Sequence, residues 1–312
     1  MAKHLSSKLF NLLLSLFGII LMGSIPALFD QMNLSFSGYI QSIRGVILML
    51  VGLKPAVYGG MAGLEKPIFP QVFVHLGESG LILFLSLLSA LAVALFIVFV
   101  YFLLPRWSQA GIAFGLRVLD GIPDILFMIG TQLLVIYVFK ATGIAMANVA
   151  TVQGERAVLL PVVSLAIPTM LMFLKLLILR YGQEVEKDYV VLARAKGVSP
   201  SAILNHHVLR NVVVSTVYYI RHHLWFILSN LYLVEVLFNV PGISWFIKDY
   251  PTTEVFTVAL LLIYVPIYLL FHLFEWTIPG EWRHGGGCGR SGGGTGVPSY
   301  RGYSSCCLFS RV

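Results

Sequence analysis

Six long apolar runs, separated by short polar and basic segments, set the pattern of this chain: residues 9–29, 81–104, 116–139, 157–179, 212–238 and 256–278. Crossing a hydrocarbon core of about 30 Å takes about twenty residues of helix, and each run reaches that length. The apolar residues are continuous and do not alternate, so helices are predicted and barrel strands are not. Helices also satisfy their own backbone hydrogen bonds where no water can. The expected fold class is an all-α polytopic membrane protein with about six transmembrane helices. The first run follows Lys3 and Lys8, as a signal peptide would, but its length and the lack of a small-x-small cleavage site point to a retained helix.

The runs divide the chain into an N-terminal transmembrane helix (1–30), an external loop or subdomain (31–79), a core domain (80–280) and a tail (281–312). The external segment is moderately apolar around residues 46–51 and broken by Pro55, Gly59, Gly60, Pro67 and Pro70. It reads either as a compact outer subdomain or as a partly re-entrant stretch. From Gly285 the chain becomes Gly-rich low-complexity sequence, expected to be a disordered tail. Its abrupt onset would also suit a shifted reading frame. It holds no Gly-x-x-x-x-Gly-Lys-Ser/Thr and so is not a phosphate loop.

Charge orients the helices. With the N-terminus inside, the inner segments hold Lys3, Lys8, Arg106, Arg117, Arg180, Lys187, Arg194, Lys196, Arg210, Arg283, Arg290, Arg301 and Arg311. The outer segments hold only Arg44, Lys54, Lys66, Lys140, Arg156 and Lys248. That bias predicts an N-in, C-in topology. It also accounts for the net charge of +7 without a nucleic-acid partner. Hydrophobic residues make up 58% of the chain and charged ones 11%, against about 25% charged in a soluble domain, so the bilayer must be its solvent. Cys288, Cys306 and Cys307 all lie in the tail and give the body neither a disulfide framework nor a metal site.

The longest polar stretch inside the core domain, residues 183–211, is basic and interrupted by glycine. Gln183 to Asp188 would extend a helix below the membrane, with Glu184 and Asp188 four apart on one face. Gly197 suits a left-handed helix end, Ser199 a new N-cap, and Pro200 the first position of a short second helix, 200–204, lying along the membrane surface. Asp188, Tyr189, Val190, Ala193, Arg194, Ala195, Lys196, Gly197, His207, Arg210 and Asn211 fall at the spacing Asp-Tyr-Val-x-x-Ala-Arg-Ala-Lys-Gly, ten residues to His, then Asn. This resembles the EAA loop of ABC importer permeases in its peptide/nickel form. Val191 and Leu192 stand for the Glu and first Ala of the general motif, and Ser215 stands where branch members often carry Pro. Downstream, Glu235, Phe238, Pro241 and Gly242 resemble the Glu-x-x-Phe-x-x-Pro-Gly segment at the outer end of the fifth helix, with Ser244 replacing a second Gly.

The resemblance implies a type I permease fold and a membrane subunit for peptides. It implies two cytoplasmic ATPase subunits that dock on the loop, an external solute-binding protein and a second permease chain. ATP and Mg²⁺ would be bound by the ATPase partners and no cofactor by this chain. The residues implied in ATPase coupling are Asp188, Tyr189, Ala193 to Gly197, Ser199, Pro200, His207 and Asn211; those at the outer gate are Glu235, Phe238, Pro241 and Gly242. A permease for nickel or another small solute, and a non-transporting scaffold or sensor derived from a permease, remain open alternatives.

Other polar residues were read from the chain itself. Arg221, His222 and His223 fall in the middle of the fifth run, where ionisable groups mark functional sites. Tyr218, Arg221, His222, Trp225 and Ser229 share a broad helical face that would line a pore, unless Arg221 pairs with Glu235 or Glu275. Lys175 and Arg180 are expected to snorkel at the inner end of the fourth helix. Asp120 and Asp124, on either side of Pro123, are expected to cap the start of the third. The adjacent His206 and His207 point in different directions and suggest no metal site. With no Gly-x-Ser-x-Gly and no pair of mid-span Asp residues, a membrane hydrolase is not expected, and the chain reads as non-enzymatic.

Overall fold

The computed structural model describes residues 2–30, 33–59, 65–143, 151 and 156–277, with side chains for 10–29, 34–58, 66–143, 151, 156–213, 216 and 223–271. The Gly-rich tail therefore lies outside the described residues. The chain forms two units, 1–268 and 269–312, and of the second the structure describes only the end of the last helix, 269–277.

Helix α1 spans Ala2–Gly23 and leads through a short 3-10 turn into the small hairpin β1 (Phe29–Asp30) and β2 (Asn33–Leu34). Helix α2 (Phe36–Leu50) and the antiparallel pair β3 (Val57–Gly59) and β4 (Glu65–Pro67) precede α3 (Ile68–Leu103). Helices α4 (Arg106–Asp120), α5 (Asp124–Thr142) and α6 (Leu159–Val185) follow. Then come α7 (Asp188–Ala195), α8 (Pro200–Ala202), α9 (Leu209–Leu237), α10 (Ile243–Asp249) and α11 (Thr253–Thr277).

Among the described residues, four helices are long and apolar enough to cross a membrane: Ile68–Leu103, Asp124–Thr142, Leu159–Val185 and Thr253–Phe271. The first and fifth expected runs fall on α1 (Ala2–Gly23) and α9 (Leu209–Leu237), whose stretches with described side chains, Phe10–Gly23 and His223–Leu237, are apolar; the shorter α2, Phe36–Leu50, is apolar too. The all-helical membrane architecture is as expected. Two helices differ from the expected runs. Helix α3 begins thirteen residues before residue 81, continuing through the polar stretch Gly77-Glu78-Ser79-Gly80. The third run is broken at Gly121–Pro123: Pro123 has no N–H to continue a helical ladder, and α5 restarts at Asp124.

The helices pack through small residues. Along α3, Ile82, Ser86, Ala90, Ala94 and Val98 are buried at every fourth position, a stripe that lets α6 approach closely. Against it α6 buries Leu171, Leu174, Leu177 and Tyr181, and the same cluster takes in Val190, Ala193, Ile203, Leu204 and Val208 of the polar loop. A second cluster joins Ile82, Met128, Leu165, Leu231, Val234 and Phe238 toward the other end of these helices. Residues of the 31–79 segment pack against the end of the chain's helical core: Met49, Tyr58, Ile68 and Val72 meet Ile243, Phe246 and Val255. The centre of this contact is aromatic, with Tyr58 edge-on to Phe246 at 5.3 Å and to Tyr250 at 4.5 Å.

Candidate functional site

At the end of α6 the chain turns through Glu186 and Lys187 into α7, so Glu184 and Asp188 lie on successive helices and not four apart on one. Helix α7 stops at Gly197, whose φ of +77° is left-handed; its N–H reaches Arg194 O (3.0 Å), and Val198 N–H reaches Ala193 O (3.2 Å). The chain is then extended at Ser199 (φ −62°, ψ 147°), and Pro200 opens α8 as expected. Ser199 occupies the N-cap position, but its hydroxyl makes no capping bond and instead meets Ser201 Oγ at 3.5 Å. Helix α8 is not a separate element: a π-helical turn, Ile203–Val208, carries it directly into α9. The exposed tip therefore opens a helix that runs without a break from α8 into α9.

The inward face of this elbow holds the buried Val190, Ala193, Ile203, Leu204 and Val208. Its outward face exposes Asp188, Arg194, Ala195, Lys196, Gly197, Ser199, Pro200 and His207, together with Val191 and Leu192, each 57% exposed. A rigid base with a basic and partly apolar tip suits docking on another protein. Polar ties hold the base. Lys187 Nζ donates to Glu184 Oε1 (2.5 Å), Tyr189 Oη to Glu184 Oε2 (2.8 Å), and Asn211 Nδ2 to Tyr189 Oη (3.3 Å). Burial, then the Glu184 hydrogen bond, pushes the Tyr189 hydroxyl up to about 12.

At the other end of α9, Glu235 is fully buried, and its carboxyl group acts as a clamp. Ser79 Oγ donates to Glu235 Oε1 (2.5 Å) and accepts from Ile243 N–H (2.7 Å), while Ser244 N–H donates to Glu235 Oε2 (2.8 Å). Glu235 and Ser79 thus satisfy the free N–H groups at the start of α10. Gly242 is required by this contact: a Cβ there would lie 2.3 Å from Glu235 Cδ. Phe238 is buried, and Pro241 O is held by His75 Nδ1 at 2.6 Å, with His75 stacked on Phe246 at 4.9 Å. Of the four expected gate residues, Glu235 and Gly242 touch directly, Phe238 is buried and Pro241 is held by His75, while Glu235 bonds to Ser79 and Ser244.

Midway along α9, the side chains of Tyr218, Arg221 and His222 lie outside the described residues. Trp225 is 60% exposed and faces Tyr264 at 6.5 Å, and Ser229 is exposed on the same helical face. Beside that face lies a cleft that includes His223, Asp120, Asp124 and Lys175. Lys175 ion-pairs with Asp120. Asp124 occupies the first turn of α5 without capping it and accepts from Asn230 Nδ2 at 2.9 Å.

Residues 79–275 match the family model described as "Binding-protein-dependent transport system inner membrane component". The chain belongs to that family. Similar proteins are a probable peptide ABC transporter permease of Sinorhizobium fredii, 32% identical over 121 residues (37% of this chain, 39% of that protein), and the dipeptide transport system permease DppB of Lactococcus lactis, 28% identical over 158 residues (47% and 51%). The dipeptide permease DppB of Bacillus subtilis is 27% identical over 145 residues (43% and 47%). The matches therefore span about half, or less, of the length of these relatives.

For an inner-membrane component with several apolar helices, a multi-pass location in the cell membrane follows. Sequence reading missed Ser79, His75 and Asn230. Of these only Asn230, a lone amide within an apolar run, carried a local signal. The Tyr189 tie gives a test. Tyr189→Phe leaves the Glu184 and Asn211 groups without their shared hydroxyl and is expected to cost about 1–2 kcal/mol. Faster amide exchange across 188–197 would report it. Because the folded pKa is raised from 10.0, the hydroxyl's stabilisation is whole below pH 10 and is lost as pH rises through about 12; the Phe variant should lack that alkaline loss.

Proposed function

We propose that this inner-membrane component is a permease subunit of an ATP-driven importer, forming with a second permease chain the path for peptides across the membrane. Two cytoplasmic ATPase subunits dock on residues 183–211, and an external binding protein delivers the solute; ATP and Mg²⁺ belong to the ATPase partners. The observation that carries the reading is the elbow: a left-handed Gly197 sets an exposed tip on a helix that continues into α9. A push on that tip therefore reaches the membrane span. The peptide assignment is supported by relatives whose names specify peptides and dipeptides. Tyr218, Arg221, His222, Trp225 and Ser229 on α9 would line the path, and Glu235, Phe238, Pro241 and Gly242 would brace its outer end.

Cross-linking from Ser199→Cys or Ser201→Cys, combined with reconstitution in liposomes, tests the proposal. The expected result is a cross-link to a nucleotide-hydrolysing neighbour and di- or tripeptide uptake that stops without ATP. Uptake that survives ATP removal, or cysteines reached only from the exterior, would overturn it. Arg221→Ala tests the lining separately: normal uptake at normal expression removes Arg221 from the path.

A further inference from the structure

Helix α4 (Arg106–Asp120) has 15 residues, about 22 Å of helix, and cannot cross a hydrocarbon core of about 30 Å. It joins two helices that are long and apolar enough to do so, α3 ending at Leu103 and α5 starting at Asp124. The end of α3 and the start of α5 therefore meet the same membrane face. From Asp120 to Asp124 the chain reaches about 14 Å at most, so α4 cannot stand upright on that face and still return the chain to it. It lies along the surface. Arg106 and Arg117, one near each end, mark the face as the inner one. Both ends of the helix are held. Gln109 Nε2 donates to Leu104 O (2.9 Å) at the corner with α3, and Asp120 ion-pairs with Lys175 of α6.

The helix is divided into strips. Toward the protein it turns Ile112 and the buried Leu116, both packed on the core cluster of α3 and α6. Away from it, Trp107, Ala110, Gly111, Phe114 and Val118 recur at spacings of three and four, and all are exposed. Trp107 is 79% exposed, Phe114 63% and Val118 55%, a cost that water would not offset. Arg106 and Arg117 are exposed and three turns apart, about 16 Å, so they lie along the same edge of the apolar strip. The Arg117 guanidinium stands 6.0 Å from the Phe114 ring centre. An apolar strip that includes a tryptophan and has cations along one border is the pattern of a helix lying in the headgroup boundary. The inner leaflet complements both parts, with acyl chains for the strip and anionic phosphates for the arginines.

We propose that α4 is an in-plane anchor that docks on anionic phospholipids of the inner leaflet. Trp107, Phe114 and Val118 enter the upper acyl region, and Arg106 and Arg117 hold the phosphates beside them. Because α4 ties α3 to α5 and, through Asp120, to α6, lipid bound here steadies the inner corner of three helices.

Bromolipid quenching of Trp107 tests the proposal on the full chain, purified with its partner subunits and placed in nanodiscs of phosphatidylcholine and phosphatidylglycerol. Bromines sit on the upper acyl chain of one lipid or the other, at equal mole fraction. Subtracting the signal of Trp107→Phe isolates the one indole. Its emission should be quenched, and phosphatidylglycerol should be preferred over phosphatidylcholine by about 5- to 30-fold in association constant, the effect of one to two cations near such a surface. The double variant Arg106→Gln/Arg117→Gln should quench equally with either lipid. In the native chain, with no variant of the arginines needed, the preference should shrink as salt rises from about 0.1 M to about 1 M. An indole that neither lipid quenches would show the strip covered by protein, such as a second permease chain, and would overturn the proposal. Equal quenching in the native chain, or a preference that survives both salt and the double variant, would overturn it as well. None of these measurements depends on transport or on the identity of the solute.

Discussion

Gly242→Ala is expected to be among the most damaging single-methyl changes in the protein. The added Cβ would fall 2.3 Å from Glu235 Cδ and 2.4 and 2.5 Å from its two oxygens, well inside contact distance. Neither side can yield cheaply. The carboxyl group is pinned by Ser79 and by the Ser244 N–H, and it lies at 0% exposure, so moving it strands polar groups in the interior. Moving Gly242 instead drags α10 away from the Tyr58–Phe246–Tyr250 cluster, where the 31–79 segment meets the core. A buried clash of this kind, together with lost hydrogen bonds to a buried carboxyl, costs about 2–4 kcal/mol. Unfolding midpoints of the detergent-solubilised chain measure it, and a cycle with Glu235→Ala gives the mechanism. Once the carboxyl is removed, the alanine at 242 should cost much less, a coupling that independent sites would not show. A harmless Gly242→Ala in the otherwise native chain would refute the clamp.

The features legible in the sequence are those with a local signature. Apolar length announced the long helices, Gly197 and Pro200 announced the elbow, and the Glu-x-x-Phe-x-x-Pro-Gly segment marked the end of the fifth run. Features that depend on residues distant in sequence left little trace. Glu235 was expected at the outer gate, with Arg221 as an alternative partner, but Ser79, which it bonds, is 156 positions away on another helix. Pro123 suits a first turn, and α5 does start at Asp124; the pairing of Asp120 with Lys175 and of Asp124 with Asn230, each on a helix distant in sequence, left no local signal. Helix α3 continues past its apolar stretch because Ile68 and Val72 are held in the cluster with Met49, Tyr58 and Phe246, a tertiary effect that overrides the weak local pattern at residues 77–80. The π-helical turn that fuses α8 to α9 replaced an expected surface helix, since Ile203, Leu204 and Val208 must all reach the same core.

Gly197→Val is expected to separate ATP hydrolysis from transport without preventing insertion. A Cβ at Gly197 meets nothing within 4 Å, so the effect comes through the backbone alone. At φ +77° an L-residue carries strain of about 1–2 kcal/mol, with the β-branched valine at the upper end and asparagine at the lower. That strain is relieved by rotating the chain between α7 and α8, which re-aims Ser199 and Pro200. Because α8 runs without interruption into α9, the tip can no longer move in register with the span. A change of this size alters the elbow's populations by about 5- to 30-fold. Solute imported per ATP hydrolysed should accordingly fall in the order Asn, Ala, Val, while yield and unfolding midpoint change little. The order distinguishes strain from bulk, since asparagine is larger than alanine. A valine variant that transports at the full rate would show that the geometry at Gly197 does not carry the coupling.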